Sequence, residues 1–137
     1  MSVKDIKSQL QSNIALNATI VTNTTTNGAI IDNANFDLGI MFIVQCTEYT
    51  NGTYNFTIEE GDKSDLSDAT IVPAKKLIGD LSDLTITAIS ASGELINSVG
   101  VFSNKRYLRL KAVSTASSAA GAKINALVVQ SGEIVPV

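Results

Sequence analysis

A period of two in the hydrophobic residues is the feature that most limits what this chain can fold into. Every second residue from Ile14 to Ile20 is apolar, the spacing that places side chains on one face of a β-strand. We therefore expect Ile14, Leu16, Ala18 and Ile20 to point inward. Similar alternation returns in residues 54–58 and 105–112, and turns rich in glycine, asparagine and serine separate such segments about every 8 to 12 residues.

This pattern predicts an all-β protein. The 137 residues are enough for one domain with a buried core, and we predict a single antiparallel β-sandwich over residues 13–130, jelly-roll-like, with about eight or nine strands. The later strands are expected at Leu84–Ile89, Glu94–Phe102 and Ala122–Gln130. The stretch between Leu77 and Asp83, just before the first of these, could instead extend a helix.

Two neighbouring segments carry the clearest local predictions. Leu38–Thr47 is the most apolar run and is rich in Ile, Val and Phe, so we expect a central strand that is buried on both faces for part of its length. The Asn51-Gly52 pair follows this run and precedes the alternating segment that begins at Tyr54. That arrangement predicts a two-residue β-hairpin.

The pattern of residues 1–12 predicts an N-terminal arm. Val3, Ile6 and Leu10 are placed at helical spacing, which indicates a short helical arm of about two turns, too short to be stable alone. The arm either orders against a neighbouring subunit or is a frayed terminus. Residues 131–137 predict a C-terminal tail that lies along a surface or crosses to a neighbour.

The acidic segment Glu59–Asp68 is a candidate cation site because it carries five of the 13 acidic residues and hard cations prefer oxygen ligands. Its spacing is wrong for an EF-hand: counting from Asp62 places Leu66 at the fifth position and Pro73 at the twelfth, where oxygen ligands are needed. We therefore expect no metal, and a solvated loop outside the core in which Ser64 or Ser67 caps a short turn.

Composition argues against several classes of function. The chain has no histidine and one cysteine, Cys46, so it lacks the imidazole of a catalytic triad or of a histidine-ligated metal site. Cys46 lies in an apolar segment, and we expect a buried, unreactive thiol. The glycines have neither dinucleotide-binding nor phosphate-loop spacing. We expect no enzymatic activity and no cofactor.

Charge and hydropathy narrow the choice of partners. The formal net charge is -3 and the pI is near 4.8, whereas nucleic-acid binding needs a basic surface. The N-terminal sequence lacks the apolar core of a secretory signal, and no segment approaches the roughly 18 apolar residues of a membrane span. We expect synthesis in the cytoplasm, with neither a nucleic acid nor a membrane as partner.

One basic segment is a candidate contact region. Alternation places Lys105, Tyr107, Arg109 and Lys111 on one face of a strand, and Arg106 on the other. We call Lys105, Tyr107, Arg109 and Lys111 the basic strip, and such a strip would suit an acidic partner surface. The alternative is a solvated face whose charges pair with acidic residues on the neighbouring strand.

Three segments resemble a known family. Asn23–Asp32 (NTTTNGAIID), Glu59–Ala69 (EEGDKSDLSDA) and Asn104–Leu110 (NKRYLRL) are similar, in order and spacing, to segments of small β-rich proteins encoded among the head genes of tailed bacteriophages and prophages. The likeness extends from Ile14 to Val113.

The resemblance implies a non-enzymatic virion protein, first of all a capsid decoration or cement protein that binds the major capsid protein on the outer surface of the assembled capsid. We expect a homo-oligomer, with a trimer as the first choice, whose arms and basic strips attach it at several points. A head-to-tail connector or a tail-associated subunit is the alternative. A host-receptor or glycan-binding module is a third hypothesis, which the absence of tryptophan disfavours.

Overall fold

The computed structural model describes residues 10–34, 36, 39–87, 95–115 and 121–132. This part of the chain forms nine β-strands, and two short 3₁₀ turns at Ala74–Lys76 and Leu81–Leu84 lie between β5 and β7. The strands are β1 (Leu10–Ile20), β2 (Thr25–Asp32), β3 (Gly39–Tyr49), β4 (Thr53–Gly61), β5 (Thr70–Ile71), β6 (Leu77–Ile78), β7 (Leu95–Val101), β8 (Tyr107–Thr115) and β9 (Ala122–Ser131).

The strands form two antiparallel sheets. The five-stranded sheet has the order β1-β9-β3-β7-β6, and the four-stranded sheet has the order β2-β8-β4-β5. The pairing is nested along the chain: β1 pairs with β9, β2 with β8, β3 with β7, and β4 with β5. Nested pairing that alternates between two sheets is the topology of a jelly roll. The predicted all-β sandwich of jelly-roll type is confirmed.

The core lies between the two sheets, where alternate residues of the long strands meet. In β4 and β8 the predicted alternation holds, and the inward side chains have 3% or less of their surface exposed. Burying one such large side chain stabilises the fold by about 1.5–3 kcal/mol relative to leaving it exposed. The largest fully buried side chains of the core are Tyr54, Phe42, Ile58, Leu84, Ile86, Leu108, Leu110 and Ile124.

The predicted hairpin at Asn51-Gly52 is wrong, because β3 and β4 belong to different sheets. A two-residue type I′ turn needs a positive φ at both central residues, and only Gly52 has one, at 98°. The hydroxyl of Tyr49 donates to the Gly52 carbonyl at 2.8 Å, and that of Tyr54 donates to the Asn51 carbonyl at 2.8 Å. The turn therefore carries the chain across the edge of the sandwich.

A β-bulge reverses the predicted orientation of one residue in β1. The register of β1 against β9 shifts between Ile14 and Leu16, and Ala15 is buried beside Leu16 while Ile14 is 62% exposed. Leu16 and Ile20 are buried as predicted, and Ala18 packs against the core. A bulge inserts one extra residue, so the period of two that starts at Ile14 does not continue through it.

The predicted helical arm is wrong where the structure describes it. Leu10 is the first residue of β1 and is paired with Ser131 of β9, so the backbone of residues 10–12 is held in a sheet in spite of its helical spacing. Val3 and Ile6 lie outside the described residues, as do residues 133–137 of the predicted tail. Ser131, the first residue of that tail, ends β9.

Two further expectations need correction. The acidic segment is not wholly outside the core, since β4 continues to Gly61 and the side chain of Glu60 is only 3% exposed. The segment predicted as a strand at Leu84–Ile89 begins in a 3₁₀ turn that Asp80 caps, and Ile86 makes an isolated bridge to Tyr54. Residues 88 and 89 lie outside the described part of the chain.

Candidate interaction surfaces

The outer face of the four-stranded sheet carries most of the basic strip. Tyr107, Arg109 and Lys111 share the outward side of β8, while Lys105 precedes the strand. Across the sheet on β4, Glu59 accepts hydrogen bonds from both cations: its Oε2 lies 2.7 Å from Arg109 Nη2, and its Oε1 lies 2.9 Å from Lys111 Nζ. The carboxylate of Glu59 on β4 is thus the counter-charge of both Arg109 and Lys111 on the neighbouring strand β8.

The other basic side chains of this region have acidic partners as well. Lys105 Nζ lies 2.7 Å from Asp62 Oδ2. Arg106 was predicted on the inward face, but it is exposed, makes a two-pronged contact with Asp32, and stacks 5.1 Å above the Tyr107 ring. Arg106 lies before β8 begins, so the inward alternation of the strand does not extend to it.

Ion pairing shifts the pKa values of these groups. Partial burial raises the pKa of Glu59, but hydrogen bonds from Lys111 and Arg109 outweigh it and hold this pKa below its ordinary value. The hydrogen bond from Arg106 likewise lowers the pKa of Asp32. The basic strip is therefore paired internally, as in the second of the two sequence hypotheses. Docking of an acidic partner on it stays a prediction.

Next to Glu59 lies a buried carboxylate, that of Glu60, which the sequence did not predict as a contact. Glu60 accepts hydrogen bonds from Lys76 Nζ at 2.7 Å and from the Ser103 hydroxyl. These contacts tie β4 to the first 3₁₀ turn and to the link between β7 and β8. Successive strand residues point to opposite faces, which separates the roles of Glu59 and Glu60. Nothing local in the sequence marks Lys76 or Ser103 as partners.

The acidic loop between β4 and β5 uses its carboxylates as turn acceptors. Asp68 accepts from the backbone N–H groups of Asp62 at 2.9 Å and Lys63 at 3.2 Å, and Asp65 accepts from that of Ser67 at 3.0 Å. The caps are thus aspartates, where Ser64 or Ser67 was predicted. Within the described residues, no group of three or more Cys, Asp or Glu side chains is placed to hold a metal ion.

The outer face of the five-stranded sheet has a different character. Leu127 of β9 lies between Ile14 of β1 and Ile43 of β3, and the next row places Val129 beside Met41. Ile14 is 62% exposed and Leu127 is 46% exposed. We call this surface the apolar face, and its members are Ile14, Met41, Ile43, Ile78, Ile96, Leu127 and Val129.

The apolar face explains why one expectation for β3 fails. Its inward side chains, Ile40, Phe42 and Val44 among them, are buried, but Met41 on the other side is 37% exposed. The segment is apolar on both sides because one side faces the core and the other belongs to the apolar face. The consecutive apolar residues of β3, and those of β9 at 127–129, were the sequence signal for this surface.

Polar groups surround the apolar face. Its interior positions that are not apolar are small or uncharged, such as Ser98 and Gly100 on β7. The charged residues Lys123 and Glu48 lie opposite each other beyond one end of the face, and Asp83 lies at one edge beside Ile43 and Ile96. An apolar centre with a polar rim is typical of protein interfaces.

A shallow groove of about 420 Å³ runs along part of the apolar face. Met41, Ile78 and Val129 line it, and Leu10 stands at its margin. Of the three apolar residues of the predicted arm, Leu10 alone lies within the described residues, and it lines this groove on the apolar face and not the basic strip. No helix among the described residues is long and apolar enough to cross a membrane.

Comparisons with known proteins identify a shared fold. No protein-family model matches this chain, and no curated protein matches its sequence. Among solved structures, the chain is similar to the PBSX exported protein XepA, with a TM-score of 0.53 and 15% sequence identity. The matched region covers 93% of this chain and 39% of XepA, so this chain spans well under half the length of that protein.

Proposed function

We propose that this chain is a non-enzymatic structural protein of a bacteriophage virion, a capsid decoration (cement) protein that binds the outer surface of the assembled capsid. The observation that carries this proposal is the apolar face on a jelly roll whose opposite outer face is internally ion-paired. Exposed apolar patches of this kind mark surfaces that associate with other proteins. A protein that acts by association suits a capsid, in which one contact is repeated many times, better than it suits an enzyme.

The arrangement of reactive groups supports a structural role. In the described part of the chain, the carboxylates of Asp32, Glu59, Glu60 and Asp62 each accept hydrogen bonds from basic side chains. The thiol of Cys46 is fully buried, and desolvation raises its pKa, which keeps it from acting as a nucleophile at neutral pH. These carboxylates are engaged in ion pairs and this thiol in the core, which supports a structural role.

Phage association is supported from two directions. The segments of this chain that resemble proteins encoded among phage head genes include NKRYLRL at Asn104–Leu110, and its residues contribute β8 and its ion pairs. The structural likeness is to XepA, a phage PBSX exported protein. We propose the virion as the location of this chain and the major capsid protein as its partner, with a homo-oligomer, a trimer first, attached at several points.

Binding to assembled shells tests this function. The purified chain is mixed with capsids that lack it and with unassembled capsid protein, and each mixture is centrifuged through a density gradient. We expect co-sedimentation with the assembled capsids and saturation at a stoichiometry set by the lattice. Binding to isolated portals or tails alone would instead support a connector or tail subunit, and binding to neither would contradict a virion role.

The contact regions can be tested in the same assay. Deletion of residues 1–9 removes Val3 and Ile6 of the predicted arm and keeps every residue of β1 from Leu10 onward, and circular dichroism checks that the variant is folded. We expect this deletion to weaken capsid binding. Substitution Tyr107→Ala removes a half-buried side chain of the basic strip without breaking an ion pair of Glu59. Unchanged binding of both variants would remove these regions from the proposal.

A further inference from the structure

The rows of the apolar face lie side by side in register. One row runs Ile14, Leu127, Ile43, and the next runs Val129, Met41, with Ile78 beyond Gly100. All of these side chains leave the same side of one sheet, so they form a broad surface and not a pocket for a small molecule.

The size of this surface matches that of an interface between proteins. The strands of this sheet differ in length, from 11 residues in β1 and β3 to two in β6, and at about 3.3 Å per residue and about 4.8 Å between strands they give a face of about 650 Å². A stable protein–protein interface buries about 600–1,000 Å² on each partner. The face therefore reaches the lower part of that range when the occupant covers all of it.

The charge pattern of the face restricts its occupant. The inner rows contain no charged side chain, and Lys123, Glu48 and Asp83 lie only at the rim. An acidic or basic partner surface would be desolvated here without a counter-charge, which is costly. A flat, apolar and uncharged partner surface of similar size avoids this cost of desolvating charges. The apolar face of another copy of this chain is such a surface.

We propose that a second copy of this chain covers the apolar face, so that the outer face of the five-stranded sheet is the contact between subunits. This assignment rests on the proposed function in supplying the surface by which the decoration protein assembles. Because the same face of both copies takes part, the contact pairs two subunits, so a dimer and not the trimer named above is the unit that it predicts. It leaves the oppositely placed four-stranded sheet, with its ion pairs and the basic strip, turned away from that contact.

The mass of this chain in solution tests the assignment. Light scattering after size exclusion should give a multiple of the 14.4 kDa chain mass. Ile14→Lys and Leu127→Lys place a cation in the centre of the face, at positions exposed enough for the fold to tolerate it. We expect each to raise the dissociation constant by about 100-fold or more. Thr25→Lys, exposed on an edge strand of the other sheet, should leave the mass unchanged.

The outcomes separate this inference from the proposed function. A monomeric wild-type protein, or an oligomer that persists in both Ile14→Lys and Leu127→Lys while circular dichroism shows an intact fold, would overturn the inference even if capsids are bound. Association that arises only after deletion of residues 1–9 would assign the face to that segment and likewise overturn it. An oligomer that L127K dissociates supports the inference whether or not the protein binds capsids.

Discussion

Ile14 and Leu127 lie directly opposite each other on neighbouring strands, and both side chains are exposed to solvent, at 62% and 46%. Ile14 is exposed because the bulge at Ala15 turns it away from the core. Two branched aliphatic side chains gain little stability when they pair in water. Their contribution is to the apolar face, which we propose that a second copy covers, and this distinguishes that face from the ion-paired charges of the four-stranded sheet.

The Glu59 carboxylate should contribute more to stability than the exposed carboxylates. It is 13% exposed and serves both Arg109 and Lys111, so Glu59→Gln leaves two neighbouring cations without a counter-charge. We expect a loss of about 1–2 kcal/mol in the free energy of unfolding, measured by urea denaturation. Asp62→Asn, which breaks the exposed pair with Lys105, is the matched control and should have a smaller effect. Equal effects would contradict this assignment.

The same carboxylate should make stability depend on pH in the acidic range. The pKa of Glu59 in the folded protein lies below its ordinary value of 4.5, so the unfolded chain binds the proton first. The stability from Glu59 is therefore fully present above about pH 5, and it is lost as the pH falls through the lower pKa of the folded state. Glu59→Gln should show a shallower decline of unfolding free energy with falling pH. If the unfolding free energy of Glu59→Gln fell with pH as steeply as that of wild type, this role of Glu59 would be disproved.

Gly121 should tolerate no side chain. A Cβ at this position would lie 1.7 Å from the carbonyl oxygen of Ile20, and the backbone has a φ of 48°. We expect Gly121→Ala to destabilise the fold by about 3 kcal/mol or more. Gly79→Ala is the control, since Gly79 also has a positive φ of 97° but its nearest neighbour would be 3.7 Å away. Thermal unfolding of both variants measures the difference, and similar melting temperatures would contradict the close approach at Gly121.

The thiol of Cys46 should be inert in the native protein. Its side chain is fully buried, and desolvation raises its pKa even though it donates a hydrogen bond to the Glu48 carbonyl. We expect no reaction with an aromatic disulfide reagent at pH 8 until denaturant is added, and then one thiol per chain. Rapid labelling of the native protein would show that β3 opens locally.

Local patterns predicted the parts of this fold that depend on one strand at a time. The alternation in β4 and β8 gave the buried faces correctly, since side-chain direction repeats every two residues whatever the neighbour is. The Asn51-Gly52 pair correctly predicted where the chain turns after β3, but it did not predict which sheet the chain enters after the turn. Whether β4 returns beside β3 or crosses to the other sheet depends on β8 and β9, which lie more than fifty residues later.

The candidate surfaces were predictable to different degrees. Arg109 and Lys111 were recognised from their spacing, and the acidic partner on a neighbouring strand was one of two hypotheses. The clamp of Glu60 by Lys76 and Ser103 was not predictable, because it joins residues 16 and 43 positions away. The apolar face was not predicted because the consecutive apolar residues of β3 were interpreted as a strand buried on both faces, and because the bulge that exposes Ile14 leaves no mark in the hydrophobic pattern.

Counting copies in the particle tests the decoration role most directly. Quantitative mass spectrometry of purified virions gives the ratio of this protein to the major capsid protein. A decoration protein occupies equivalent sites across the whole lattice, so the ratio should approach that of the shell protein itself. A handful of copies per particle would contradict capsid decoration and place the protein at the portal or the tail.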